Sequence, residues 1–124
     1  MQQFDAYHPF PDLALNGQQT LSENIADVAG LSVALDAYHE QAGASMAGSL
    51  EGFTGAQRFF LSYAQNWREK YREPTLRMIV LTNGHAPAEY RADTVRNLDA
   101  WYEAFGIADQ QRLYLAPADR VRIW

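Results

Sequence analysis

The chain contains no cysteine, and among its ten basic residues there is a single lysine, Lys70. The first absence excludes a disulfide framework, a thiolate metal site and a cysteine nucleophile, and it leaves the redox compartment open. The second means that nine arginines carry the remaining positive charge. Arginine suits bidentate contacts to carboxylates better than lysine does. Positive charge is scarce overall, since 15 acidic residues bring the net charge to −5 and the isoelectric point to about 5.0. A general nucleic-acid binder needs a basic footprint, so no nucleic-acid partner is expected. No apolar run approaches the length of a membrane span, the opening MQQFDAYHPF has no signal-peptide pattern, and no N-x-[ST] glycosylation acceptor occurs. If the chain is a piece of a longer protein, any leader would lie upstream.

What is present suits one soluble globular domain. A hydrophobic fraction of 48% in 124 residues is enough for a modest core. Residues 1–19 hold His8-Pro9, Phe10-Pro11 and Asn16-Gly17, which predict an extended lead with Phe4, Tyr7 and Phe10 packed on the body. A helix is expected over 20–41, where Ile25, Val28, Ala29, Leu31, Ala34, Leu35 and Tyr38 offer a broad apolar surface. The glycine- and serine-rich stretch 42–52 reads as a loop. A second, amphipathic helix is expected over 53–72, with Phe59, Phe60, Tyr63 and Trp67 recurring at three- and four-residue steps. The run LRMIVL after Pro74 reads as helix, because proline suits a first turn. Asn83-Gly84 breaks it, a short helix covers 97–105 and stops at Gly106, and the tail is irregular.

The candidate chemistry centres on TLSENIAD, residues 20–27. Glu23 and Asp27 sit at i and i+4, on one helix face, where two like charges repel slightly. Thr20-Leu-Ser-Glu23 matches a capping box, in which Thr20 caps the helix and Glu23 reaches back to its amide. That reading leaves Asp27 without a role. It also leaves unexplained the small residues Gly30 and Ala34, which would let another helix approach on the carboxylates' side. Carboxylates against a close neighbour need neutralising, and a metal is one way. Zinc accepts carboxylate oxygen beside histidine nitrogen, the usual source of the histidines being H-E-x-x-H on one helix. His39-Glu40-Gln-Ala-Gly43 is a near miss that presents only one ring, so it reads as the polar end of the first helix. His8 and His85 complete no three-ligand set. His85 stands between a turn and Pro87 with Arg91 six residues on; the pairing could serve an oxyanion and a substrate carbonyl, but from the residues alone it reads first as an exposed loop histidine and a structural arginine.

These segments carry an ordered pattern. Asn16-Gly17 followed by TLSENIADVAGL resembles the N-G-x-x-T-L-G-E-N-I-A-D-x-x-G-L segment of the neprilysin-like zinc metallopeptidases, which include bacterial endopeptidases. FFLSYAQNWREKYR at 59–72, GHAPAEYR at 84–91, RNLDAWYEAFGI at 96–107 and YLAPADRVRIW at 114–124, with its terminal tryptophan, continue the likeness in order. The resemblance implies a mainly α chain, the helical C-terminal subdomain of a thermolysin-like (zincin) catalytic domain. It implies Glu23 as third zinc ligand, Asp27 as the partner orienting a zinc-binding histidine, His85 as oxyanion stabiliser and Arg91 as the substrate-carbonyl contact. The parent would hold zinc and cleave peptide substrates with a metal-activated water; the two zinc-binding histidines and the general base would lie on an H-E-x-x-H helix that is absent from this chain.

Three departures stand out: Ser22 replaces a glycine, Asn83 replaces the aspartate two residues before the loop histidine, and Thr94 replaces a glycine. Asn83 is expected to weaken the support and charge of His85. The chain alone is expected to bind zinc weakly or not at all and to be inactive, with the rest of the catalytic domain as its partner. Without that partner an exposed apolar face would favour self-association. The parent is expected in the periplasm, outside the cell or anchored in a bacterial membrane. A second reading is a non-catalytic relic serving as a binding or scaffold module. A third is a generic helical domain whose carboxylates only cap and solvate.

Overall fold

The computed structural model describes residues 1–123; the terminal tryptophan of the family-like ending lies outside them. The architecture is mainly α, as expected. The helices are α1 (Gln2–Asp5), α2 (Leu21–Ala42), α3 (Gly55–Asn66), α4 (Glu73–Thr82), α5 (Ala88–Ala92) and α6 (Asp99–Phe105), with 3-10 turns at Gly43–Met46, Asp93–Asn97 and Pro117–Asp119. Among the described residues β pairing is limited to two isolated bridges, Phe10 with Leu13 and Leu50 with Phe53. No helix among them is long and apolar enough to cross a membrane.

Two apolar clusters hold these elements. Asn24, Val28, Leu31 and Leu35 recur at helical spacing and form the buried face of α2. Leu31 and Leu35 meet Phe60 of α3 with Val95 and Leu98, and Phe59, Tyr63, Trp101 and Phe105 pack around them. The aromatic stripe of α3 is therefore largely core. The second cluster joins Phe4 and Leu15 of the lead to Val80 of α4 and Ala86, with Tyr7 and Tyr90 at its edge. Ile25 and Ala34 remain exposed, so the broad apolar surface of α2 is covered on one side only.

Local chemistry departs from the sequence expectations at several points. The lead is not wholly extended, because it opens on α1, which presses against Gly17. A Cβ at Gly17 would lie 2.4 Å from the Met1 carbonyl oxygen, and its amide donates to Asp5 Oδ1 at 2.7 Å. The capping box does not form at Thr20. That residue has ψ 5°, outside the extended region a cap needs, and its hydroxyl bonds Asn16 and Asn24 instead. A capping box forms at Thr54 (ψ 166°) with Gln57, opening α3. Helix α3 ends at Asn66 rather than running to 72. Pro74 sits in the first turn of α4, and α6 starts at Asp99 and closes on left-handed Gly106. The expected loop over 42–52 contains a 3-10 turn, and α5 forms where only a loop was expected.

Asn97, which the sequence placed at a helix start, is a buried crosspiece instead. Its side-chain oxygen accepts from Gln3 Nε2 and the Val121 amide, each at 2.9 Å, and its amide donates to Gln3 Oε1 and the Thr94 carbonyl. It thus joins lead, core and tail. Asn97→Ala leaves those partners unsatisfied and is expected to lower unfolding stability by about 2–3 kcal/mol, read by urea denaturation. A loss below about 0.5 kcal/mol would show that the crosspiece contributes little.

Candidate active site

Glu23 and Asp27 leave α2 one turn apart, and a second segment, 83–91, comes to meet them. Gln19 Nε2 donates to the Asn83 carbonyl at 2.6 Å, fixing the turn before α5 against the start of α2. His85 Nε2 then lies 3.0 Å from Glu23 Oε2, with both side chains substantially exposed. On the other side of its ring, His85 Nδ1 lies 3.1 Å from Asn83 Oδ1, which also accepts the His85 amide at 2.9 Å. Which atom donates in each ring contact is set by the tautomer of the imidazole. Asn83 still orients the ring; what it lacks relative to an aspartate is the charge.

Arg91, at the end of α5, reaches Asp27 with two parallel bonds, Nε to Oδ2 at 2.8 Å and Nη2 to Oδ1 at 2.7 Å. The pair is mostly buried, with side-chain exposures of 20% for Arg91 and 11% for Asp27. Hydrogen bonding to Asp27 raises the pKa of Arg91 further above its ordinary value, against the opposing effect of burial. Fork-to-fork geometry of this kind is what arginine offers and lysine does not. The guanidinium also lies over the Trp67 ring, 4.1 Å from its centroid. Tyr63 donates its hydroxyl to the Arg91 carbonyl at 2.9 Å, and burial pushes that phenol up to about 12.

The structure thus brings all four sequence candidates to one side of the chain, in two pairs. It also reveals what the sequence reading missed: the direct Glu23–His85 contact, the use of both Asp27 oxygens by Arg91, and the contributions of Trp67 and Tyr63. Trp67 had a signal, being the last aromatic of the α3 stripe just where the apolar pattern gives way to Arg68-Glu69-Lys70. Beside the site lies a cavity of about 280 Å³ lined by Trp67, Tyr71, Ile79, His85 and Arg91 among others. Along α2 and α3 runs an open groove of about 350 Å³ lined by Asp27, Gly30, Ala34, Ser62, Tyr63 and Asn66. A Cβ on Gly30 would meet nothing within 4 Å, so among the described residues no helix occupies the small-residue face.

His39 and Glu40 fall in the last turns of α2 and are exposed, as is His8. No three His, Cys, Asp or Glu among the described residues are grouped to hold a metal. Zinc takes at least three protein ligands even in its open catalytic sites, so the residues present do not fit a complete zinc centre. Glu23 offers one accessible carboxylate, and Asp27 is already committed to Arg91.

The sequence matches peptidase family M13 over residues 1–121. It is 33% identical over 110 residues to the neutral endopeptidase of Lactococcus lactis subsp. lactis (strain IL1403), covering 88% of this chain and 16% of that protein. With neprilysin-21 of Caenorhabditis elegans it shares 41% over 87 residues, 65% of this chain and 11% of the relative. Its fold superposes on the zinc metalloprotease Zmp1 of Mycobacterium tuberculosis, solved in an open state and with an inhibitor, at a TM-score of 0.93 and 39% identity. That match covers 99% of this chain and 20% of Zmp1. The family match and the superposition together mark a portion of a metallopeptidase. The chain belongs to peptidase family M13, the neprilysin-like zinc metallopeptidases, and spans between about a tenth and a fifth of the length of the relatives it matches.

Proposed function

We propose that this chain is one wall of the active site of a zinc endopeptidase, completed by a part of the catalytic domain that the chain does not contain. The observation that carries the reading is the convergence of Glu23 with His85 and of Asp27 with Arg91 on one face, from segments far apart in sequence. Glu23 is the carboxylate ligand, contributing one of the ligands zinc requires. Zinc in such a site supplies Lewis-acid polarisation of the substrate carbonyl. Asp27 sits behind it, in reach of a metal-binding histidine on the missing part while it holds Arg91. The open groove beside Gly30 and Ala34 is where that part would pack, and in its absence the same face favours self-association.

On the substrate side, Asn83 holds the His85 ring by Nδ1, which leaves Nε2 to offer its proton to a developing oxyanion once Glu23 is engaged elsewhere. Arg91 spends two of its five N–H donors on Asp27, so three remain for a substrate carbonyl. Peptides are the proposed substrates. The isolated chain is expected to release no product from a general peptide substrate with or without added zinc, while the intact peptidase hydrolyses it and loses activity to a chelator. Zinc-dependent hydrolysis by the isolated chain would contradict the reading. An intact protein with no peptidase activity and no zinc would favour the relic.

A further inference from the structure

Trp67 acts mainly through its ring: the indole N–H is buried and makes no hydrogen bond of good geometry, although it lies near enough to the Tyr63 hydroxyl to pull that phenol's pKa down against burial. What the indole does supply is the strongest aromatic face for a cation, and the Arg91 guanidinium carbon lies 4.1 Å from its centroid. The ring is itself braced edge-on by Tyr63, with centroids 6.0 Å apart, and the Tyr63 hydroxyl holds the backbone carbonyl of the same arginine. Asp27 fixes the guanidinium edge through Nε and Nη2. Edge, face and backbone of Arg91 are therefore each held by a different group. Helix α3 stops at Asn66, one residue short of Trp67, so the ring lies just past the helix end.

From this geometry we infer that Trp67 is a positioning residue for Arg91: it fixes the plane of the guanidinium so that the donors left free by Asp27 face the substrate. The inference rests on the role proposed above for Arg91. Lost stacking frees the guanidinium to swing about its bonds to Asp27 without disturbing the metal-side residues, and the penalty falls on substrate binding. Trp67→Leu removes the aromatic face; Trp67→Phe keeps a weaker face and removes the N–H.

The test has two readouts. In the 124-residue chain, the Arg91 Nε–Hε proton resonance carries an upfield ring-current shift that Trp67→Leu abolishes and Trp67→Phe retains in part. In the intact peptidase, Trp67→Leu raises KM about tenfold, the size of a desolvated cation–π contact, with kcat within about twofold. Zinc content stays unchanged, and Trp67→Phe recovers most of the loss. An unshifted Arg91 resonance in the wild-type chain overturns the stacking. A Trp67→Leu enzyme with wild-type KM, in a protein where Arg91→Lys is itself damaging, overturns the positioning role. If Arg91→Lys leaves KM and kcat untouched, the role of Arg91 falls first and takes this inference with it.

Discussion

Glu23→Ala in the intact peptidase is expected to abolish zinc retention and, with it, peptide hydrolysis. The side chain is half-exposed at the start of α2, and its one polar partner among the described residues is His85. Substitution therefore removes no structural crosspiece, and the helix loses no cap, because Glu23 does not form the capping box its sequence context suggests. A purely structural Glu23 would make the substitution nearly silent. As a metal ligand, its loss should exceed the roughly 10–100-fold penalty typical of residues that only support a ligand. Metal content measured on dialysed protein, beside peptidase activity, separates the two. Full zinc occupancy in Glu23→Ala would return Glu23 to the helix surface.

The second large effect falls on stability. Arg91→Met leaves the Asp27 carboxylate, only 11% exposed, without its two charge-assisted bonds. Breaking one side of a mostly buried ion pair costs about 3–5 kcal/mol, most of it the penalty of an uncompensated charge. In a domain of this size that is a fall of roughly 10 °C or more in thermal midpoint. The double variant Asp27→Asn/Arg91→Met removes the stranded charge and is expected to recover much of the loss, whereas Arg91→Lys falls between, keeping charge but not the fork. Calorimetry on the wild type, the two single variants Asp27→Asn and Arg91→Met, and the double variant reads the coupling directly. A single Arg91→Met midpoint within 2–3 °C of wild type, about the effect of 1 kcal/mol or less, would show that Asp27 is adequately solvated without its partner.

Much of this arrangement was legible in the sequence, and the failures have physical reasons. The ordered segments from TLSENIAD to the tail identified the family and put Glu23, Asp27, His85 and Arg91 forward as a set. Their pairing was not legible, because it depends on where the 83–91 segment folds back, and that is fixed by the Gln19–Asn83 bond and by α5. Helix α5 itself was hidden behind Gly84 and Pro87, which punctuate like a loop. The run from Trp67 to Arg72 is rich in good helix formers, yet α3 ends before it. Trp67 is turned toward Arg91, a tertiary contact that overrides local propensity. The two capping-box sequences, T-L-S-E and T-G-A-Q, look alike on paper. Backbone geometry separates them: Thr20 is caught in the turn after Asn16-Gly17, and Thr54 is extended. Asn83 was expected to weaken the support of His85; its amide oxygen lies 3.1 Å from Nδ1 but brings none of the charge an aspartate would add.

On the function proposed above, Glu23 faces a metal held jointly with residues outside this chain. Anomalous scattering at the zinc edge from crystals of the intact peptidase tests it most directly. A single strong peak is expected within about 2.0–2.2 Å of a Glu23 carboxylate oxygen, with Asp27 still forked to Arg91. A peak ligated entirely elsewhere, with Glu23 and His85 still 3.0 Å apart, would contradict it.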